Sequence, residues 1–214
     1  DLIVGLPWED LKRFKQSFND VYSMEPEQLQ LGFLKILKGS YMEELIPDCE
    51  LLYSAAPPYE VLQTKWLSYG DVLELKDIEE MTEVHYNSRQ FTCTLKELEK
   101  EFNTPYEMFS FMAGYYNRNH LFGISHSRIA RYEILWKIIQ EKLGKNGKYE
   151  TQGELENGAV SEISEKLEKY RDLLMTDLYL RENVKSRPTF ARDLSGSKDF
   201  VREFFQKEEK TPQY

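Results

Sequence analysis

The first residues of the chain constrain its fold more than any later stretch. Leu2, Ile3 and Val4 form a continuous apolar run that Gly5-Leu6-Pro7 ends. This is the pattern of a short strand buried on both faces, as in a parallel sheet. Pro7 stops the strand, and Glu9 and Asp10 place acids at the first turn of a helix. Leu11, Phe14, Phe18 and Val21 then recur at helical spacing, with Lys12, Lys15, Gln16 and Asn19 between them, until Pro26. Leu29, Leu31 and Phe33 alternate with Gln28, Gln30 and Gly32, which predicts a second strand. Strand, helix and strand in succession are long enough for a right-handed parallel crossover.

The rest of the chain changes character. A short helix is expected around Tyr41 to Leu45, a third strand at Glu50 to Ser54, and a further strand at Tyr59 to Thr64 after the Ala-Ala-Pro-Pro break. From Asp71 onward the pattern is helical. Asp71 with Glu74, and Thr94 with Glu97, have the cap-then-acid spacing of helix starts. Leu75, Ile78, Met81 and His85 share one face, and Leu95, Leu98 and Phe102 another. Tyr106 to Tyr116 reads as a core helix. Ile129 to Leu143 and Ile163 to Leu178 are periodic helices, and Phe200, Phe204 and Phe205 suggest a last one. The expected organisation is an α/β segment over 1–66 followed by a mainly helical domain over 67–214. So little sheet is too small for a complete α/β domain, and the start on Asp1 directly before apolar residues suggests a piece of a longer protein.

Composition narrows the function. Asp and Glu outnumber Lys and Arg 37 to 28, a net charge of −9 that argues against a general nucleic-acid binder. No apolar run approaches the roughly 20 residues needed to span a bilayer, and no signal peptide is visible, so a cytoplasmic location is expected with no membrane partner. Cys49 and Cys93 are the two cysteines, far apart and outside any CxxC or CxxxC spacing. They cannot hold a zinc ion or an iron–sulfur cluster by themselves, and both read as reduced, buried thiols.

Asp1-Leu2-Ile3-Val4-Gly5-Leu6-Pro7 resembles the "DLI-x-GLP" stretch of radical S-adenosylmethionine (radical SAM) enzymes. The closest branch includes oxygen-independent coproporphyrinogen oxidase and the cobalamin-dependent members. Gln30 to Ser40 is similar to the next strand of those enzymes and its Gly-Thr end, with Ser40 in place of the threonine. Tyr59-Glu60-Val61-Leu62-Gln63-Thr64, Tyr69-Gly70-Asp71 and Tyr86-Asn87-Ser88 resemble a subgroup labelled iron–sulfur oxidoreductases or Mg-protoporphyrin IX monomethyl ester oxidative cyclases. The resemblance implies the last strands of a partial (β/α) TIM-like barrel with a helical C-terminal domain. It implies S-adenosylmethionine and a [4Fe–4S] cluster as cofactors of the parent, with use of cobalamin left open, a small-molecule substrate, and contacts with an upstream barrel and a cobalamin-binding domain. The CxxxCxxC motif of the family is absent from this chain, so the chain alone is expected to be inactive and to hold no cofactor.

The resemblance also assigns two cofactor-binding positions. Asp1 corresponds to an aspartate that holds the polar groups of S-adenosylmethionine, and Ile3 to a residue packed near its adenine; the alternative is a plain terminus and a core isoleucine. No catalytic or metal-ligating residue is assigned. Gln28 and Gln30 face the opposite side of their strand, towards a barrel cavity or solvent. Lys35 and Lys38 read as solvated or as holders of an anionic group. His85, on an apolar helix face, reads as a hydrogen-bonded core histidine. His120 and His126 are a weak metal signal, lacking neighbouring acids or cysteines. Arg181, Lys185, Arg187 and Arg192 read as a solvated surface. A competing reading makes the helical part a non-enzymatic module that docks a partner protein or the cobalamin domain. An exposed strand edge leaves room for pairing between copies as a homo-oligomer.

Overall fold

The structure is a computed structural model, and it describes residues 1–144, 157–182 and 188–191. Among these the chain is mainly helical, with a few short strands near its start. β1 (Leu2–Val4) and β2 (Leu31–Phe33) run parallel, with Leu2 opposite Leu31, Ile3 opposite Gly32 and Val4 opposite Phe33. α1 (Leu11–Ser23) makes the crossover between them, and its buried stripe is Phe14, Phe18 and Tyr22. Asp10 caps it, accepting a 2.8 Å hydrogen bond from the backbone of Arg13.

Two four-residue helices follow, α2 (Tyr41–Glu44) and α3 (Ile46–Cys49). β3 (Leu52–Tyr53) and β4 (Val61–Gln63) then form an antiparallel hairpin. A single bridge between Lys35 and Glu60 ties this hairpin to the end of β2. Ile36, Cys49 and Leu51 make its small separate core. The expected strands are therefore present but shorter than the sequence pattern suggests.

The helical body contains α4 (Tyr69–Met81), a π-helical turn (Thr82–Asn87), α5 (Thr92–Leu98), α6 (Pro105–Arg118), α7 (Arg128–Lys142) and α8 (Asn157–Arg181). Both sequence-based helix starts move. The cap of α4 is Ser68, in a reciprocal capping box with Asp71, so Asp71 is the third residue of the helix rather than its cap. α5 starts at Thr92, two residues before Thr94, because its first turn is capped from outside. The Asp177 carboxylate of α8 accepts hydrogen bonds from the backbone N–H of Cys93 (3.0 Å) and Thr94 (2.8 Å) and from the Thr94 hydroxyl (2.7 Å). A carboxylate at a helix N-terminus also meets the positive end of its dipole.

One hydrophobic core underlies both segments. Val4, Leu31 and Phe33 from the strands and Phe14 and Phe18 from α1 belong to the same buried cluster as Phe109, Tyr132 and Leu174. Phe18 is the joint, edge-on to Tyr106 (5.6 Å between centroids) and Phe109 (5.7 Å) of α6. The helix expected at Phe200 to Phe205 lies outside the described residues. No helix among the described residues is long and apolar enough to cross a membrane.

Candidate functional site

The two faces of the β1–β2 pair differ. Leu2, Val4, Leu31 and Phe33 point towards the helices, and Val4 is fully buried. Alternation along the strands sends Asp1, Ile3, Gln30 and Gly32 to the other face, where all four are exposed and Ile3 keeps 46% of its surface accessible. The two cofactor positions assigned by resemblance thus share this open face, beside Gln30. Gln28 is exposed as well.

Gly5 sets the turn beyond β1. Its φ is +93°, and a Cβ there would lie 2.6 Å from Val61 Cγ1, so neither the backbone conformation nor the space admits a side chain. This close approach brings β4 against the end of the parallel pair. A cleft of about 510 Å³ follows the free side of β2, bordered by Ile3, Gly32, Lys35, Glu60, Lys76 and Glu79. Lys76 Nζ donates a 2.8 Å hydrogen bond to Glu60 and lies 4.1 Å from the centre of the Phe33 ring. Burial pushes the Glu79 carboxyl above its ordinary range, Glu83 adds to this by repulsion, and Lys76 opposes it. The cleft offers an apolar floor and charged rims of both signs. That suits binding and orientation of a polar organic molecule, and it presents no nucleophile with an adjacent base. Lys35 and Lys38 are both exposed.

The remaining sequence candidates fall elsewhere. His85 is fully buried as expected, yet both ring nitrogens lack a hydrogen-bond partner, which corrects the reading of a hydrogen-bonded histidine. It packs between Phe91 and Tyr116, whose hydroxyl is also buried without a partner. His120 is exposed, and His126 Nε2 lies 2.9 Å from the Leu121 carbonyl oxygen. Among the described residues no three His, Cys, Asp or Glu side chains group so as to hold a metal ion. Cys49 is buried and Cys93 only half-buried, and both are free thiols. Arg181 is not a solvated cation: it donates to Asp177 Oδ1 at 3.2 Å and to the Thr92 hydroxyl at 2.6 Å. Lys185, Arg187 and Arg192 lie outside the described residues. The aromatic runs of α6 and α7 form core.

Sequence reasoning missed the clamp on the approach to β2. Asn87 Oδ1 accepts from the Leu29 backbone N–H at 2.9 Å, and Asn87 Nδ2 donates to the Leu29 carbonyl at 3.0 Å. Tyr86 and Arg89 donate to the Pro26 carbonyl beside it. The one signal was Tyr86-Asn87-Ser88 among the stretches that resemble the subgroup, which gave no partner for it.

The described residues define a mixed chain: a parallel strand pair and a hairpin feeding a helical body, with one strand face left open beside a charged cleft. Residues 48–214 match the family described as a protein of unknown function (DUF4080), and the chain belongs to that family. No curated protein and no solved structure matches it.

Proposed function

We propose that this chain is the C-terminal part of a radical SAM iron–sulfur oxidoreductase or cyclase acting on a small organic molecule. In this reading it supplies late barrel strands and a helical cap to a site whose cluster-binding cysteines lie elsewhere in the parent. One observation carries it. Parallel strands are normally covered on both faces, yet helices cover one face of β1–β2 and leave Asp1, Ile3, Gln30 and Gly32 open on the other. That asymmetry is what the lumen side of an interrupted barrel presents. Support also comes from the "DLI-x-GLP" resemblance and from the family, a domain found in radical SAM and cobalamin-associated proteins.

The fit to each cofactor differs. Cys49 and Cys93 are too few for a [4Fe–4S] cluster, so the cluster does not belong on this chain. S-adenosylmethionine fits better: the Asp1 carboxylate on the open face is able to accept hydrogen bonds from ribose hydroxyls or the methionine ammonium, with Ile3 as the apolar neighbour of the adenine. The chemistry the two groups supply together is reductive cleavage of S-adenosylmethionine. The share of this chain is to bind, orient and exclude water. A cobalamin-binding domain is the expected neighbour in the parent.

The test is anaerobic reconstitution with iron and sulfide, done on this chain and on the parent gene product. The parent is expected to take up a [4Fe–4S] cluster and cleave S-adenosylmethionine, and this chain to do neither. A stoichiometric cluster on this chain alone, or a parent gene without a CxxxCxxC motif, overturns the reading.

A further inference from the structure

The open face of β1–β2 is built in two rows. Ile3 lies opposite Gly32 in the parallel register, and two residues back along both strands Asp1 lies opposite Gln30. At roughly 3.3 Å per residue the rows are about 6.6 Å apart. One row is polar, a carboxylate beside a carboxamide. The other is an exposed isoleucine beside a residue with no side chain.

Among the described residues nothing requires Gly32 to be a glycine. Its φ lies outside the left-handed region, and a Cβ there would meet only the Leu2 carbonyl oxygen, at 3.8 Å, an ordinary contact. Gly5 is the opposite case, with a positive φ and Val61 in the way. Glycine weakens the interior of a strand, and one that the fold does not demand marks the close approach of a ligand or another backbone. A further strand would pair along the edge of the sheet, whereas the missing side chain clears its face. A ligand is therefore the better occupant. The cleft of about 510 Å³ is bordered by both Ile3 and Gly32, and its size falls in the range of about 300–1,000 Å³ usual for small-molecule sites.

The polar row is held in advance. Asn87 fixes both backbone groups of Leu29, the residue before Gln30, and Tyr86 and Arg89 hold the Pro26 carbonyl. A backbone set before the ligand arrives lowers the cost of binding. We infer that Gln30 and Gly32 form the second half of the S-adenosylmethionine site, an inference that rests on the radical SAM reading. Gly32 is its size filter: the adenine ring lies against Ile3, over the space that a side chain at Gly32 would fill. Gln30 joins Asp1 on the ribose. The carboxylate accepts from one hydroxyl, and the carboxamide, able both to donate and to accept, takes the other. A flat ring and a diol on one rigid nucleoside answer the two rows together; free methionine or an inorganic anion leaves the Ile3–Gly32 row empty.

The test places Gly32→Ala and Gly32→Val in this chain and in the parent. In this chain both are expected to keep or raise the urea midpoint, because the added Cβ meets no crowded atom and valine suits a strand. The reconstituted parent is then titrated anaerobically with S-adenosylmethionine in a calorimeter. Gly32→Val is expected to weaken binding about tenfold or more, Gly32→Ala less, and Gln30→Ala about tenfold. Gln28→Ala, exposed but outside both rows, is expected to leave it unchanged. If Gly32→Val fails to keep its cluster, Gly32→Ala and Gln30→Ala decide. Equal affinity of the native parent and these variants overturns the inference and leaves the radical SAM reading standing. A native parent that binds no S-adenosylmethionine overturns both. A lower urea midpoint for Gly32→Ala in this chain overturns the inference alone, since the glycine then serves the fold.

Discussion

The N-terminal end of α5 and the π turn just before it bury the same kind of group in opposite ways. Asp177 has no accessible surface, and backbone N–H groups, a threonine hydroxyl and a guanidinium all reach it. His85 is equally buried and nothing reaches it. A charge brought into the interior is tolerated when paired and hydrogen-bonded, so Asp177 is a fastener between α5 and α8. An unpaired imidazole fastens nothing. The faces of β1–β2 repeat the contrast: one is packed, the other is left for something else to cover.

Removing the fastener is the most severe way to break this contrast. Asp177→Ala strips the cap from α5 and leaves Arg181 without its carboxylate, and is expected to cost about 3–5 kcal/mol. Asp177→Asn keeps an acceptor and should cost less. Urea denaturation measures both, and a loss below about 1 kcal/mol for the alanine variant would show that α5 and α8 are held by packing alone.

Acid tests the other side. Burial, with a smaller contribution from the Arg131 charge, lowers the His85 pKa from 6.5 to about 3. Between those values the unfolded chain binds a proton that the folded chain refuses, so stability rises with pH through that window. The contribution is complete above about 6.5 and is lost as the pH falls towards 3. At pH 4 the loss is roughly 3 kcal/mol. Arg131 of α7 is the charge that acts on the ring, the Tyr116 ring of α6 packs edge-on to it, and neither ring nitrogen has a partner. Comparing pH-stability curves of the native chain and His85→Phe isolates this from the carboxylates. Parallel curves would mean that His85 is solvated in solution.

The clamp should show an intermediate effect. Asn87→Ala removes two hydrogen bonds to Leu29 and is expected to cost about 1–3 kcal/mol, with faster amide exchange at Leu29 and in β2. Exchange confined to the π turn would mean that the strand is held in register by β1 alone.

Which of these features the sequence announced follows from the range over which each is decided. The strand–helix–strand start and the buried stripe of α4 are local periodicities, and they are legible. The caps were displaced because Ser68 and Asp71 both belong to one capping box, and because the Thr94 hydroxyl is claimed by Asp177, 83 residues further on. The burial of His85 follows from its spacing with Leu75, Ile78 and Met81. The missing partner does not, since it is a property of what α5, α6 and α7 bring near it. Arg181 looked solvated because it was grouped with the charges that follow it; its pairing with Asp177 one turn earlier on α8 is within reach of helix spacing, whereas its contact with Thr92, 89 residues away, is not.

The smallest expected effect belongs to the open strand face, and its smallness is informative. Val4 and Ile3 are adjacent and chemically alike, yet one is fully buried and the other nearly half accessible. Val4→Ala should cost about 2 kcal/mol in lost burial and cavity, whereas Ile3→Ser should stay within about 0.5 kcal/mol of the native chain. A surface selected only for solubility has no need of an isoleucine there. If Ile3 lies beside bound S-adenosylmethionine in the parent, the same Ile3→Ser change, neutral in this chain, should weaken cofactor binding by the parent. Isothermal titration on the parent reads this directly. Unchanged cofactor affinity would leave the open face as ordinary protein–protein surface and remove Ile3 from the proposed site.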